Sequence, residues 1–261
     1  MRKGVQCYTI RDHLNDRAQI IDSFKKIKNI GYDCLQLGGL PITVQELNEI
    51  LDDLGLYNCT SYGNIDAMLA GAEGIQGAIA TARAYRTNLI GIGSIPEGQR
   101  VSREGYQKFA ADMNTVCKEI NKEGCKLLYH HHSFEFFSLG GGETGMDILM
   151  GETDPDCVYF TLDTHWLAGG GVNPPDWIRR AKGRMPLIHF KDYAITGGEK
   201  IVENFTSAFA EVGEGNLNWP AIIEACRDAG VEFAVVEQDF CNGDPFDSLA
   251  ISYRNMGKFG M

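Results

Sequence analysis

No apolar run in this chain approaches the roughly 18 residues that a membrane-spanning helix requires, so its 44% hydrophobic content is dispersed through many short segments and a membrane protein is not expected. Basic residues are scarce: 24 Lys and Arg stand against 35 Asp and Glu, a net charge of −11. That balance opposes the counterion release that drives nucleic-acid binding, and no nucleic-acid partner is expected. The eight cysteines include no C-x-x-C pair and sit mostly inside apolar segments, so they are expected to be buried reduced thiols. Two basic residues near the start, in MRKGVQCYTIRDHL, are followed by no continuous apolar stretch; no signal peptide is expected and a cytoplasmic location is favoured. Neither a P-loop nor a basic cluster is present, which disfavours a dedicated phosphate site.

What is present is an alternation. Eight β-rich runs begin near Gly4, Gly31, Leu56, Asn88, Cys125, Val158, Pro186 and Glu232, with helix-period segments between them. The segment from Asp16 to Asn29 puts Ile20, Ile21, Phe24 and Ile27 on one face and stops at Gly31. Thr43 and Glu46 form a capping box ahead of Val44, Leu47, Ile50 and Leu54, while Asn218 and Pro220 open a helix that ends before Gly230. Eight strand signals with intervening helices over 261 residues, without a composition break, predict a single-domain α/β (β/α)8 barrel spanning residues 1–261. In such barrels the active site sits at the C-terminal ends of the strands.

Metal-ligand residue types gather at those ends. Five of the six histidines, His130, His131, His132, His165 and His189, follow β-rich runs, as do Glu135, Asp163, Glu237 and Asp239. The set Glu135, Asp163, His189 and Glu237 is expected to hold one divalent ion, with Mn²⁺ the first choice and Mg²⁺, Co²⁺ or Zn²⁺ the alternatives. His130 and His132 alternate with His131 along a strand, so those two share a face; either could be an acid/base group beside a bound ketone. Lys191 could steady an enolate oxygen or be a solvated loop lysine. His165, Trp166, Tyr8 and Asp239 are candidate substrate contacts, each with a packing or capping alternative.

Several motifs carry a family resemblance: GVQCYTIRD, YHHHSFEF, LDTHWLAGGGVNP, IHFKD, VGEGNLNW and VVEQD. Together they resemble the xylose-isomerase-like barrel superfamily, whose sugar phosphate isomerase and epimerase members often read YHNHxxEF where this chain reads YHHHSFEF. The resemblance spans nearly the whole chain and implies two glutamates, an aspartate and a histidine around one metal, carried here onto Glu135, Glu237, Asp163 and His189. Many members place the first glutamate inside the fifth strand, where this chain has His130 and its neighbours. Either Glu135 folds back to the ion, which is the expectation, or His130 or His132 replaces it.

The implied activity is a metal-dependent sugar isomerase or epimerase that moves a proton α to the carbonyl through an enediolate, with Glu135 and Glu237 or a histidine of the YHHH run as shuttles. The alternative is a lyase or dehydratase of keto-inositols or 3-keto-glycosides through the same enolate, because the YHHH segment resembles inosose dehydratases. The resemblance also admits a homo-oligomer, though no residue argues for one. The G-x-G-x-x-G match at Gly140 to Gly145 follows no apolar strand directly and is not expected to bind a dinucleotide.

Overall fold

A computed structural model of the protein describes residues 1–197 and 205–261. Eight strands close into a parallel barrel: β1 (Arg2–Gln6), β2 (Cys34–Gln36), β3 (Tyr57–Tyr62), β4 (Leu89–Ile92), β5 (Lys126–His130), β6 (Val158–Asp163), β7 (Leu187–Phe190) and, after a hairpin, β10 (Phe233–Val236). Each pairs with its sequence neighbours, and β10 closes the ring on β1 with Arg2 opposite Phe233 and Val5 opposite Val236. The expected (β/α)8 barrel is the observed architecture. Helix boundaries follow the local chemistry: Asp16 caps the helix Arg17–Ile30, and the Thr43–Glu46 capping box is fully formed ahead of Val44–Leu54. Asn218 likewise caps Trp219–Ala229.

Two separate apolar regions form. The larger lies between the strands and the surrounding helices. The smaller fills the lumen with Cys34, Cys59, Leu89, Leu128, Leu187, Phe233 and Val235, drawn from six of the barrel strands. Because side chains alternate along a strand, residues two and four positions beyond these lumen residues also face inward, at the C-terminal rim. That parity selects His130 and His132 after Leu128, His189 and Lys191 after Leu187, and Glu237 and Asp239 after Val235.

Two features depart from the sequence expectations. Cys117, on the helix Arg103–Lys122, is bonded to Cys157 just before β6, with Cα atoms 5.4 Å apart, so the eight thiols are not all free. The packing of that helix beside the start of β6 brings together cysteines 40 residues apart, a pairing that local sequence does not register. Second, β8 (Asp192–Gly197) and β9 (Phe205–Ala210) form an antiparallel hairpin after β7, outside the barrel. Asp192 anchors this insertion: its carboxylate accepts from the N–H groups of Tyr193, Gly213, Gly215 and Leu217 and from Trp219 Nε1. The VGEG loop is thus tied to the IHFKD segment, while Glu214 turns aside to accept from Asn255. The glycines of GGGETG form a turn with positive φ at Gly140, Gly141 and Gly142, which leads into a helix capped by Thr144.

Candidate active site and metal cluster

At the C-terminal rim, His130, Asp163, His189 and Glu237 each turn a ligand atom inward, all within 4.8 Å of one another. Each comes from the end of a different strand. Asp163 divides its carboxylate: Oδ1 accepts from the N–H groups of His165 and Trp166, capping the short helix Thr164–Gly169, and Oδ2 is left for the cluster. His189 is held from behind by Gln36, whose Oε1 lies 2.7 Å from Nε2. An imidazole Nε2–H donating there leaves Nδ1 aimed at Glu237 Oε2, 2.9 Å away, and at Asp163 Oδ2, 3.7 Å away. This is the outer-sphere hydrogen bond that orients metal-binding histidines.

Four buried atoms, His130 Nε2, Asp163 Oδ2, His189 Nδ1 and Glu237 Oε2, make no directed hydrogen bond among the described residues. Leaving such groups unmatched is costly, and their convergence fits a divalent cation. Without an ion, Lys191 supplies the countercharge. Its ammonium, almost wholly buried, lies 3.3 Å from Asp163 Oδ2, 3.1 Å from Glu237 Oε2 and 2.9 Å from Asp239 Oδ1. Burial favours neutral forms throughout, but the opposite charges override it. Lys191 and His189 hold Asp163 well below the usual carboxylate range and Glu237 at about 2, and the carboxylates lift His189 to about 9 and push Lys191 further up.

Glu135 is not part of this group, and here the expected ligand set is corrected. It lies in a single turn beyond β5, where strand parity no longer applies, and its carboxylate accepts from Tyr129 Oη at 2.5 Å and from the His132 N–H at 2.8 Å. Tyr129 precedes His130 and so points out of the barrel, which carries Glu135 away from the rim. Burial raises its carboxyl to about 7 against those two donors. His130 completes the group of four instead, its Nε2 3.8 Å from Asp163 Oδ2.

His131 faces away from the lumen, as the alternation predicts, and bridges the His132 carbonyl and the Asp163 N–H. His132 faces the cavity, and its buried Nδ1 has no partner among the described residues. Burial and the neighbouring imidazoles depress it to about 3, so it is neutral at pH 7.

A cavity of about 910 Å³ opens above the cluster, ample for a monosaccharide or cyclitol. Tyr8, Trp166, Lys191 and Asp239 line it, as does His130. His165 does not: its Nδ1 engages the Asp192 carbonyl at 2.9 Å and its ring packs 4.5 Å from Phe209, so the insertion has taken up the expected substrate contact. Sequence reading missed Gln36, Gln6, Tyr62 and Arg11. Gln36 and Gln6 each end a barrel strand, a position that could have drawn attention to them. Arg11 stacks on Tyr8 and donates to the carbonyls of Tyr8 and Asp239, joining the loops after β1 and β10.

A parallel barrel with a histidine–carboxylate cluster at its C-terminal rim has the arrangement of an enzyme active site. Residues 24–245 match the model of the xylose isomerase-like TIM barrel family, and the chain belongs to that family. Among curated relatives, an inosose dehydratase of Geobacillus thermodenitrificans is 30% identical over 56% of this chain and 52% of its own length. One from Clostridium beijerinckii is 29% identical over 57% of this chain and 49% of its own length. The match thus spans about half the length of these relatives. A solved sugar phosphate isomerase/epimerase of Parabacteroides distasonis superposes with a TM-score of 0.82, covering 99% of this chain and 98% of that one at 19% identity, a likeness of fold. No helix among the described residues is long and apolar enough to cross a membrane.

Proposed function

We propose that this protein is a divalent-metal-dependent carbon–oxygen lyase of keto-inositols or related keto-sugars, removing the proton α to the carbonyl and expelling the hydroxyl on the β carbon. The observation that carries this reading is the unlike character of the acid–base groups around the cluster. An epimerase or aldose–ketose isomerase removes and returns one proton, which a matched pair of glutamates serves well. Here Glu135 is turned toward Tyr129, and among the described residues Glu237 is the only glutamate in the cluster. Isomerisation or epimerisation, the first expectation from sequence, therefore becomes the second reading. The inosose dehydratase name of the curated relatives supports the same order.

His130, Asp163, His189 and Glu237 would hold the ion, and two imidazoles with two carboxylates suit Mn²⁺, Co²⁺ or Zn²⁺ better than Mg²⁺. Mn²⁺ remains our first choice; when bound it would polarise the substrate carbonyl as a Lewis acid. His132, neutral and with Nδ1 free, takes the α-proton. Lys191 places a buried ammonium where negative charge develops on the enolate, and Asp239 fixes that ammonium while offering a second oxygen to a sugar hydroxyl. Trp166 supplies an apolar wall against the ring.

The test is a Mn²⁺-replete assay on ketoses, 3-keto-glucosides and keto-inositols in heavy water, with ultraviolet detection of the enone. Enone with release of water or an aglycone is the expected outcome. Solvent deuterium in an isomeric sugar without enone would establish the second reading, and inertness of wild type and Glu237→Gln alike would refute both.

A further inference from the structure

Every elimination of water needs a proton for the departing oxygen, and the groups discussed so far do not supply one: Lys191 is tied to three carboxylates, and Asp239 is its partner. Resting on the lyase reading, we propose that Tyr62 donates its phenolic proton to the departing hydroxyl and that Gln6 aims it.

The geometry is set by donor and acceptor rules. Gln6 ends β1 and Tyr62 ends β3, and both line the cavity. The backbone N–H of Tyr8 donates to Gln6 Oε1 at 3.1 Å, which fixes the amide so that its nitrogen faces the phenol. Gln6 Nε2 then donates to Tyr62 Oη at 2.7 Å. An amide NH₂ cannot accept a hydrogen bond, so the phenolic proton cannot lie on the Gln6 side. No other residue accepts it among the hydrogen bonds of the described residues. Between β3 and the His132 segment beyond β5 runs β4, whose inward positions Gly91 and Gly93 carry no side chain, and a Cβ on Gly93 would meet nothing within 4 Å. Base and proton donor therefore face a common space across a glycine floor.

The step balances. His132 removes the α-proton and the C–H electron pair becomes the enolate. That pair then forms the new C=C bond as the β C–O bond breaks. The departing oxygen keeps the C–O electrons, takes the Tyr62 proton and leaves as water. The proton held by His132 returns to Tyr62 through cavity solvent, so the net reaction is substrate to enone plus water.

The test uses the Mn²⁺-loaded enzyme with Tyr62→Phe and Gln6→Glu. In the second variant the carboxylate still accepts from the Tyr8 N–H but now also accepts the phenolic proton, withdrawing it while leaving the aromatic ring in place. Both variants should lower enone formation by about 10²-fold or more, and lower α-deuterium exchange much less. The double variant should be no worse than either single one. On an analogue with fluoride as the β-leaving group, which needs no proton, the penalty should largely disappear. Wild-type water elimination by Tyr62→Phe, parallel loss of exchange and elimination, or an undiminished penalty on the fluoride analogue would each overturn the assignment. A wild-type enzyme that exchanges the α-proton but forms no enone would instead refute the lyase reading beneath it.

Discussion

Lys191→Met tests whether the rim is a balanced cluster of charges that a cation can complete. The ammonium sits 2.9–3.3 Å from oxygens of Asp239, Glu237 and Asp163, and each contact corresponds to about 5 kcal/mol of Coulomb attraction at an effective dielectric of 20. Most of that sum is offset by the cost of stripping water from four charged groups. The net quantity to expect is that for breaking a buried charge network by removing one member, about 3–5 kcal/mol. Methionine keeps the unbranched bulk of the side chain, so packing against Trp166 is largely preserved. For a chain of this size each kcal/mol shifts the midpoint by about 2–4 °C, so thermal unfolding in excess chelator at pH 7.5 should show a fall on the order of 10 °C. Adding Mn²⁺ should raise the midpoint more in the variant than in wild type, because the ion replaces the lost charge and binds the folded state alone. A variant that melts within about 2 °C of wild type in chelator, or that gains no more from Mn²⁺ than wild type does, would refute this account of the rim.

Two further outcomes follow from groups behind the cluster. Gln36→Leu removes the hydrogen bond that orients His189 and should weaken Mn²⁺ binding by about 10–100-fold in titration calorimetry with little change in fold; unchanged affinity would mean His189 is not a ligand. Glu135 has its folded carboxyl raised by burial to about 7 from an unfolded value of 4.5, so its contribution is fully present below pH 4.5 and is lost as pH rises through 7. That amounts to about 3 kcal/mol. Glu135→Gln should remove this slope from a denaturant-stability profile between pH 5 and 8, and a profile parallel to wild type would contradict the burial argument.

The barrel was legible because each of its strands carries a compact apolar run and each helix a stop or cap that acts within a few residues. The clustering of histidines and carboxylates just after those runs marked the rim for the same reason. Alternation along β5 separated His131 from its two neighbours, while Asp163, His189 and Glu237 were legible as metal-ligand residue types at strand ends. The expectation for Glu135 rested on donor type and family resemblance rather than on alternation, and that residue follows the end of β5, where a turn sets its direction. For His165 the structure fits the packing alternative, its ring lying against Tyr193 and Phe209 of the inserted hairpin. The stretch between those two strands lies outside the described residues.

By itself, then, the sequence determined what depends on short-range periodicity: strand and helix order, the closed parallel barrel, and which residues stand at its active end. Only the tertiary structure decided which of those residues converge. The Gln36–His189 and Gln6–Tyr62 pairs join residues through the barrel's closure, the Cys117–Cys157 bond rests on a helix packed beside β6, and the turn after β5 keeps Glu135 out of the cluster that His130 enters. The ring of eight strands sets such distances, and no local pattern in the chain encodes them.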